Sequence, residues 1–233
     1  MRARPRHAPA VVPVAGGRFG MGCGTGRPDE GPVHEVEVPP FSLGLTPVTT
    51  AQFAAFVEST GAPPPSSWSD PAFAAADRPV VGVTWDDAVA YAEWLSATLG
   101  GRWRLPSEAE WERAARGGLE QAPTPWGDTV PAGEVPEGPL RGPWPVGRGT
   151  RNGYGLLDMG TIVHEWCLDW YSPEYYREAP RVSPRGPAEG TRRSSRGGSW
   201  RHRVRWSPPS ARSSLPPSFR YADYGFRVLR ETE

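Results

Sequence analysis

Proline and glycine interrupt this chain so often that long regular elements have little room to form. The 233 residues include 29 Pro and 28 Gly. A proline removes a backbone donor, and a glycine weakens helix and strand alike. Ordered loops should therefore carry much of the structure. Side-chain packing must compensate, and 11 Trp, 7 Tyr and 7 Phe supply aromatic mass for a core.

The stretches between breakers carry the local signals. Val11 to Val14 is apolar, Gly17 to Gly22 follows, His34 to Val38 alternates as a half-buried strand should, and Phe41 to Leu45 is a further strand candidate. Thr49 or Thr50 can cap a helix with Phe53, Phe56 and Val57 on one face, stopping near Gly61. Thr84 and Asp87 form a capping box ahead of an apolar stripe of Trp85, Ala88, Tyr91, Ala92 and Leu95. A third helix starts at Ser107, with Glu110 as its box partner, and stops at Gly117. Beyond it no helical period is visible, so short strands and long loops are expected. Helices in the first half and irregular β structure in the second argue an α+β fold, read as one domain over residues 1–233.

Charge and composition narrow the function classes. Lys+Arg and Asp+Glu are balanced at 26 each, so no global basic field favours bulk nucleic acid. No apolar run is long enough to span a membrane. The N-terminal MRARPRHAPAVVPVAGG has too short and too proline-broken an apolar stretch for a signal peptide, so a cytoplasmic location is expected. Every cation is Arg, Asn occurs only at Asn152, and Gln only at Gln52 and Gln121. That bias suits a thermophile or a GC-rich genome equally. Cys23 and Cys167 are too few for a disulfide framework or zinc site, and are compatible with one bridge or two isolated thiols.

Motifs in a fixed order carry a resemblance. They include Gly17-Arg18-Phe19-Gly20-Met21-Gly22, Arg104-Leu105-Pro106-Ser107-Glu108-Ala109-Glu110-Trp111, Asn152-Gly153-Tyr154-Gly155-Leu156, Glu165-Trp166-Cys167-Leu168-Asp169-Trp170, Gly197-Gly198-Ser199-Trp200 and Gly225-Phe226-Arg227. Together, from about residue 14 to 229, they resemble the formylglycine-generating enzyme (sulfatase-modifying factor) family. The resemblance implies an irregular, loop-rich C-type-lectin-like fold. It also implies calcium held by the side chains of Asp158 and Glu165 with the carbonyls of Thr161 and Val163. The family's copper oxidases carry two cysteines shortly after the Gly-Gly-Ser-aromatic motif, because paired thiolates suit Cu(I). Those positions are His202 and Ser207 here, so copper is not expected and a catalytic role is disfavoured. A metal-dependent oxidoreductase with a non-standard site that uses His202 is the competing reading. His34 and His164 are read as structural, His7 as part of a terminal tail, and Asp86-Asp87 as helix-start carboxylates.

Residues 200–225 show neither helical nor strand period. Arg201, His202, Arg203, Arg205, Trp206, Phe219, Tyr221 and Asp223 mix cationic, aromatic and acidic groups, as binding hot spots do. The segment resembles the variable region of retroelement-diversified proteins that share this fold. A fixed frame of Gly198-Ser199-Trp200, Arg212, Pro217, Arg220 and Gly225-Phe226-Arg227 would display changeable positions. These are 201–203, 205, 206, Ala211, Ser213, Leu215, Phe219, Tyr221, Ala222 and Asp223. A non-catalytic protein binding a protein or other macromolecular ligand through these loops is the expectation.

Overall fold

The computed structural model describes residues 8–137, 140–202 and 208–232. Its N-terminal strand β1 (Val11–Val14) runs antiparallel to β4 (Phe41–Gly44), while β2 (Gly17–Met21) and β3 (His34–Val38) form a separate antiparallel pair. β4 also pairs with the C-terminal strand β10 (Leu229–Glu231), which pairs on its other side with β5 (Trp103–Arg104). The last strand in sequence is thus internal to its sheet, in the order β1-β4-β10-β5. A further sheet joins β6 (His164–Trp170), β7 (Arg193–Arg196), β8 (Arg212–Leu215) and β9 (Tyr224–Gly225) in the order β8-β7-β6-β9, with β9 parallel to β6.

Helices α1 (Thr50–Thr60), α3 (Trp85–Leu99) and α4 (Glu108–Arg116) start where the capping signals place them, and α2 (Pro71–Ala74) is a single turn not anticipated. Thr49, Thr84 and Ser107 each accept from the backbone N–H three residues on, and Gln52, Asp87 and Glu110 return the bond. Gly61 closes α1 in the left-handed conformation. Phe53 stacks on Tyr91 with centroids 5.7 Å apart, and Phe226 meets Tyr91 edge-on at 5.4 Å, locking α1 and α3 to the C-terminal segment. Cys23 and Cys167 are both free thiols, and Cys167 is fully buried, its thiol pushed well up by burial and the Asp169 charge.

Helix α4 buries charge alongside its apolar residues Ala109, Trp111, Ala114 and Ala115. Glu108, Glu110, Glu112 and Arg116 are all buried, and such groups persist in an interior only when paired. Arg212 bonds Glu108 through Nε (3.0 Å) and Nη2 (2.8 Å), while Arg196 reaches both Glu108 and Glu112. Arg116 bonds Glu112 at 2.6 Å and Arg104 bonds Glu110 at 2.7 Å. This network ties α4 to β7 and to the start of β8. The turn after β7 passes so close that a Cβ on Gly197 (φ +76°) would lie 2.9 Å from the Gly160 Cα and 3.2 Å from the Trp111 ring.

Candidate functional site

The Gly197-Gly198-Ser199-Trp200 turn is fixed from both sides. The Gly198 N–H donates to Gly160 O (3.1 Å) and the Trp200 N–H to Ile162 O (2.7 Å). Trp200 Nε1 donates to Ala222 O at 3.1 Å. Ser199 binds in three directions. Its Oγ lies 3.2 Å from Asp223 Oδ2, it accepts from the Arg201 N–H, and its carbonyl accepts from the His202 N–H at 2.8 Å.

His164 opens β6 opposite Tyr224, and its backbone N–H donates to Asp223 O at 2.9 Å. Its Nδ1 lies 2.8 Å from Gly197 O. A carbonyl can only accept, so Nδ1 carries the proton and Nε2 keeps a free lone pair. Burial, against the pull of Asp223, pushes His164 down to about 4, leaving the imidazole neutral near pH 7. The His164 and His202 rings meet edge-on with centroids 5.2 Å apart. One ligand atom each from His164, His202 and Asp223 lies within 4.8 Å of the others.

Beside this cluster opens a cavity of about 620 Å³, whose walls include Arg27, Glu30, His164, His202, Ala211, Arg212 and Ser213. That volume suits a small molecule or an inserted side chain. The Glu108–Arg212–Arg196–Glu112 network holds one wall. The other is the Cys23–Glu30 loop, fixed by the Ser210 hydroxyl donating to Glu30 at 2.8 Å and by Arg27 donating to Arg212 O.

The expected binding residues separate into exposed and held groups. Arg201 and His202 are exposed, and Phe219 and Tyr221 keep 46% and 47% of their surface in solvent. Ser213, Leu215, Ala222 and Asp223 are half-buried. Ala211 departs from expectation: it is buried, in a turn closed by its N–H donating to Pro208 O at 2.9 Å. Arg203, Arg205, Trp206 and Ser207 lie outside the described residues. The frame residues Arg212, Phe226 and Arg227 are buried, and Tyr224 is core as well. Arg220 instead sits at the surface, bonded to Asp87 at 2.5 Å.

The loop expected to hold calcium is mixed. Asp158 adopts a left-handed conformation (φ 60°) and accepts the Gly147 N–H through Oδ2 at 2.7 Å. Its Oδ1 is buried without a partner, as are Thr161 Oγ1 and Glu134 Oε1. Burial, with Glu134 and Glu165 nearby, raises the Asp158 carboxyl to about 6. Val163 is buried in the same loop. Glu165 is already committed, since both its oxygens accept from Arg227 at 2.6–2.8 Å and Oε2 also accepts from Trp111 Nε1. The residues present do not fit the family's copper pair: Cys167 is sealed in the core and Cys23 lies beside Thr25, neither following the Gly-Gly-Ser-Trp turn.

The mixed sheets, few helices and long fixed loops define a C-type-lectin-like fold of the formylglycine-generating type. The chain belongs to the sulfatase-modifying factor enzyme 1-like domain family, whose model matches residues 1–232. It is 35% identical to the formylglycine-generating enzyme of Streptomyces coelicolor, over 99% of this chain and 92% of that protein. Among solved structures, PvdO from Pseudomonas aeruginosa superposes with a TM-score of 0.86 at 29% identity, covering 98% of this chain and 96% of that one. Treponema denticola variable protein 1 superposes with a TM-score of 0.82 at 24% identity over 95% of both chains, a likeness of fold alone. No helix among the described residues is long and apolar enough to cross a membrane.

Sequence reasoning missed the convergence of His164, His202 and Asp223. Positions 164, 202 and 223 share no short metal-ligand spacing. The available signal was motif adjacency: His164 precedes Glu165-Trp166, His202 follows Trp200 by two, and Asp223 precedes Gly225 by two. Motifs that meet in the fold bring their neighbours with them.

Proposed function

We propose that this protein binds a protein or other macromolecular ligand through the face formed by residues 201–223 and does not perform copper-dependent cysteine oxidation. The carrying observation is the division of residues 201–202 and 208–227 into a buried frame and an exposed set. Arg212, Tyr224, Phe226 and Arg227 are locked by ion pairs and aromatic packing, while Arg201, His202, Phe219 and Tyr221 face solvent. Such a frame tolerates substitution at exposed positions at small cost, which supports diversification of this face. Sequencing codons 200–225 across a population of the source cells should show substitutions at exposed positions, with Trp200, Arg212, Gly225 and Phe226 fixed. A uniformly invariant segment would overturn diversification. Conversion of a cysteine-containing peptide to formylglycine by the copper-treated protein would overturn the non-oxidase reading.

A metal-dependent oxidoreductase with a non-standard site is the second reading. The meeting of His164, His202 and Asp223 favours it.

We further propose structural calcium in the 158–165 loop, supported by the unpartnered oxygens of Asp158 and Thr161. A hard cation takes several such oxygens, and Glu134 offers another; Glu165 would have to loosen its Arg227 pair. Millimolar Ca²⁺ is then expected to raise Tm by several degrees relative to EGTA. Asp158→Asn, which keeps the left-handed backbone available, should remove that rise. Equal melting of the wild type with and without Ca²⁺ would refute calcium binding.

A further inference from the structure

We propose that His164, His202 and Asp223 form a binding site for one divalent first-row transition-metal ion, of the two-histidine, one-carboxylate type, at the mouth of the cavity. It deepens the second reading above, because it names the metal class at that site.

The donor set decides the class of ion. Two imidazole nitrogens and one carboxylate oxygen are too soft for calcium to prefer and lack the thiolates Cu(I) selects. They match Fe²⁺ or Zn²⁺ sites that keep open coordination positions. The ligand atoms, within 4.8 Å of one another, need to close to about 3–3.5 Å around an ion bound at roughly 2.1 Å. His202 is exposed and Asp223 half-buried, so both can make that adjustment while His164 stays in place.

The supporting groups are those that orient ligands in metal sites. Gly197 O accepts from His164 Nδ1 at 2.8 Å, so Nε2 is the nitrogen presented. Ser199 Oγ steadies Asp223 Oδ2, and the His164 N–H fixes the Asp223 backbone. One competitor is present: Arg201 Nε lies 3.7 Å from Asp223 Oδ2. Its side chain is 52% exposed, and ion pairs in that setting contribute little, so a metal displaces it. His164 and His202 both line the cavity, which puts the open positions where a ligand enters.

Chelator-treated protein titrated with Co²⁺, read by its visible absorption, and with Zn²⁺, read by calorimetry, tests this directly. The wild type should bind one equivalent. His202→Ala and Asp223→Asn should each weaken binding tenfold or more with Tm unchanged, and Val182→Ala, an exposed position outside the 201–223 face, should bind as the wild type does. Binding below one equivalent by the wild type would overturn the site. So would binding of equal strength in His202→Ala and Asp223→Asn, since the ion would then sit elsewhere. A bound ion without turnover of any substrate leaves the site standing and refutes only the oxidoreductase reading.

Discussion

Replacing Glu108 with alanine should lower the unfolding free energy by about 3–5 kcal/mol. The whole stability of such a fold is only about 5–15 kcal/mol, so much of the protein should unfold at moderate temperature. Glu108 is 2% exposed and receives both Nε and Nη2 of Arg212 together with Nη1 of Arg196. Removing it leaves two guanidinium groups in an interior they entered only as partners. Arg212 would retain the carbonyls of Asp29 and Ser172, and Arg196 would retain Glu112, Tyr176 and Pro209. Those contacts set the lower end of the range. Glu108→Gln keeps the shape and one acceptor and should cost less. Urea denaturation of both variants checks the prediction; a loss below about 1 kcal/mol for Glu108→Ala would mean that water relieves the unpaired arginines.

The second large effect concerns pH. Asp169 is 2% exposed, and burial together with the Glu108 charge pushes its carboxyl up to about 8, against the opposing hydrogen bond from the Glu108 N–H at 2.9 Å. An unfolded aspartate titrates near 3.9. Between those values the folded state holds a proton that the unfolded state has released. Its contribution is therefore fully present below about pH 4 and lost as pH rises through about 8, at up to about 1.4 kcal/mol per pH unit. Asp169→Asn keeps an oxygen for the Glu108 N–H and removes the titration, so its stability should vary much less between pH 5 and 8. Glu110 works the other way: although burial opposes ionisation, its Arg104 pair holds the carboxyl below the usual range. The stability it adds is lost only as pH falls through that lower value, outside the Asp169 window. Melting curves at four pH values for wild type and variant decide it; parallel slopes would show Asp169 ionised in the fold.

What the sequence showed and concealed follows the range of the forces involved. Helix starts at Thr49, Thr84 and Ser107 were legible because capping is settled within four residues. Strand β3 was legible from its alternation. β6 was not, because four of its residues, His164 to Cys167, are buried in succession and so lack a period of two. The buried charges of α4 were readable as a cap but not as a network, since their partners Arg196 and Arg212 arrive from far along the chain. The same distance hid the His164, His202 and Asp223 cluster. Short-spacing templates work for helical metal motifs and fail where loops bring ligands together.

The position of β10 has a consequence for biosynthesis. Among the described strands, β4 lacks its second partner and β5 has none until Leu229–Glu231 arrives to bridge them. At about 5–20 residues per second, a nascent chain waits roughly 6–25 s between making β5 and making the strand that closes the sheet. Through that interval its exposed edges can pair with other chains, so the protein's yield in a cell should depend on how well those edges are shielded during translation.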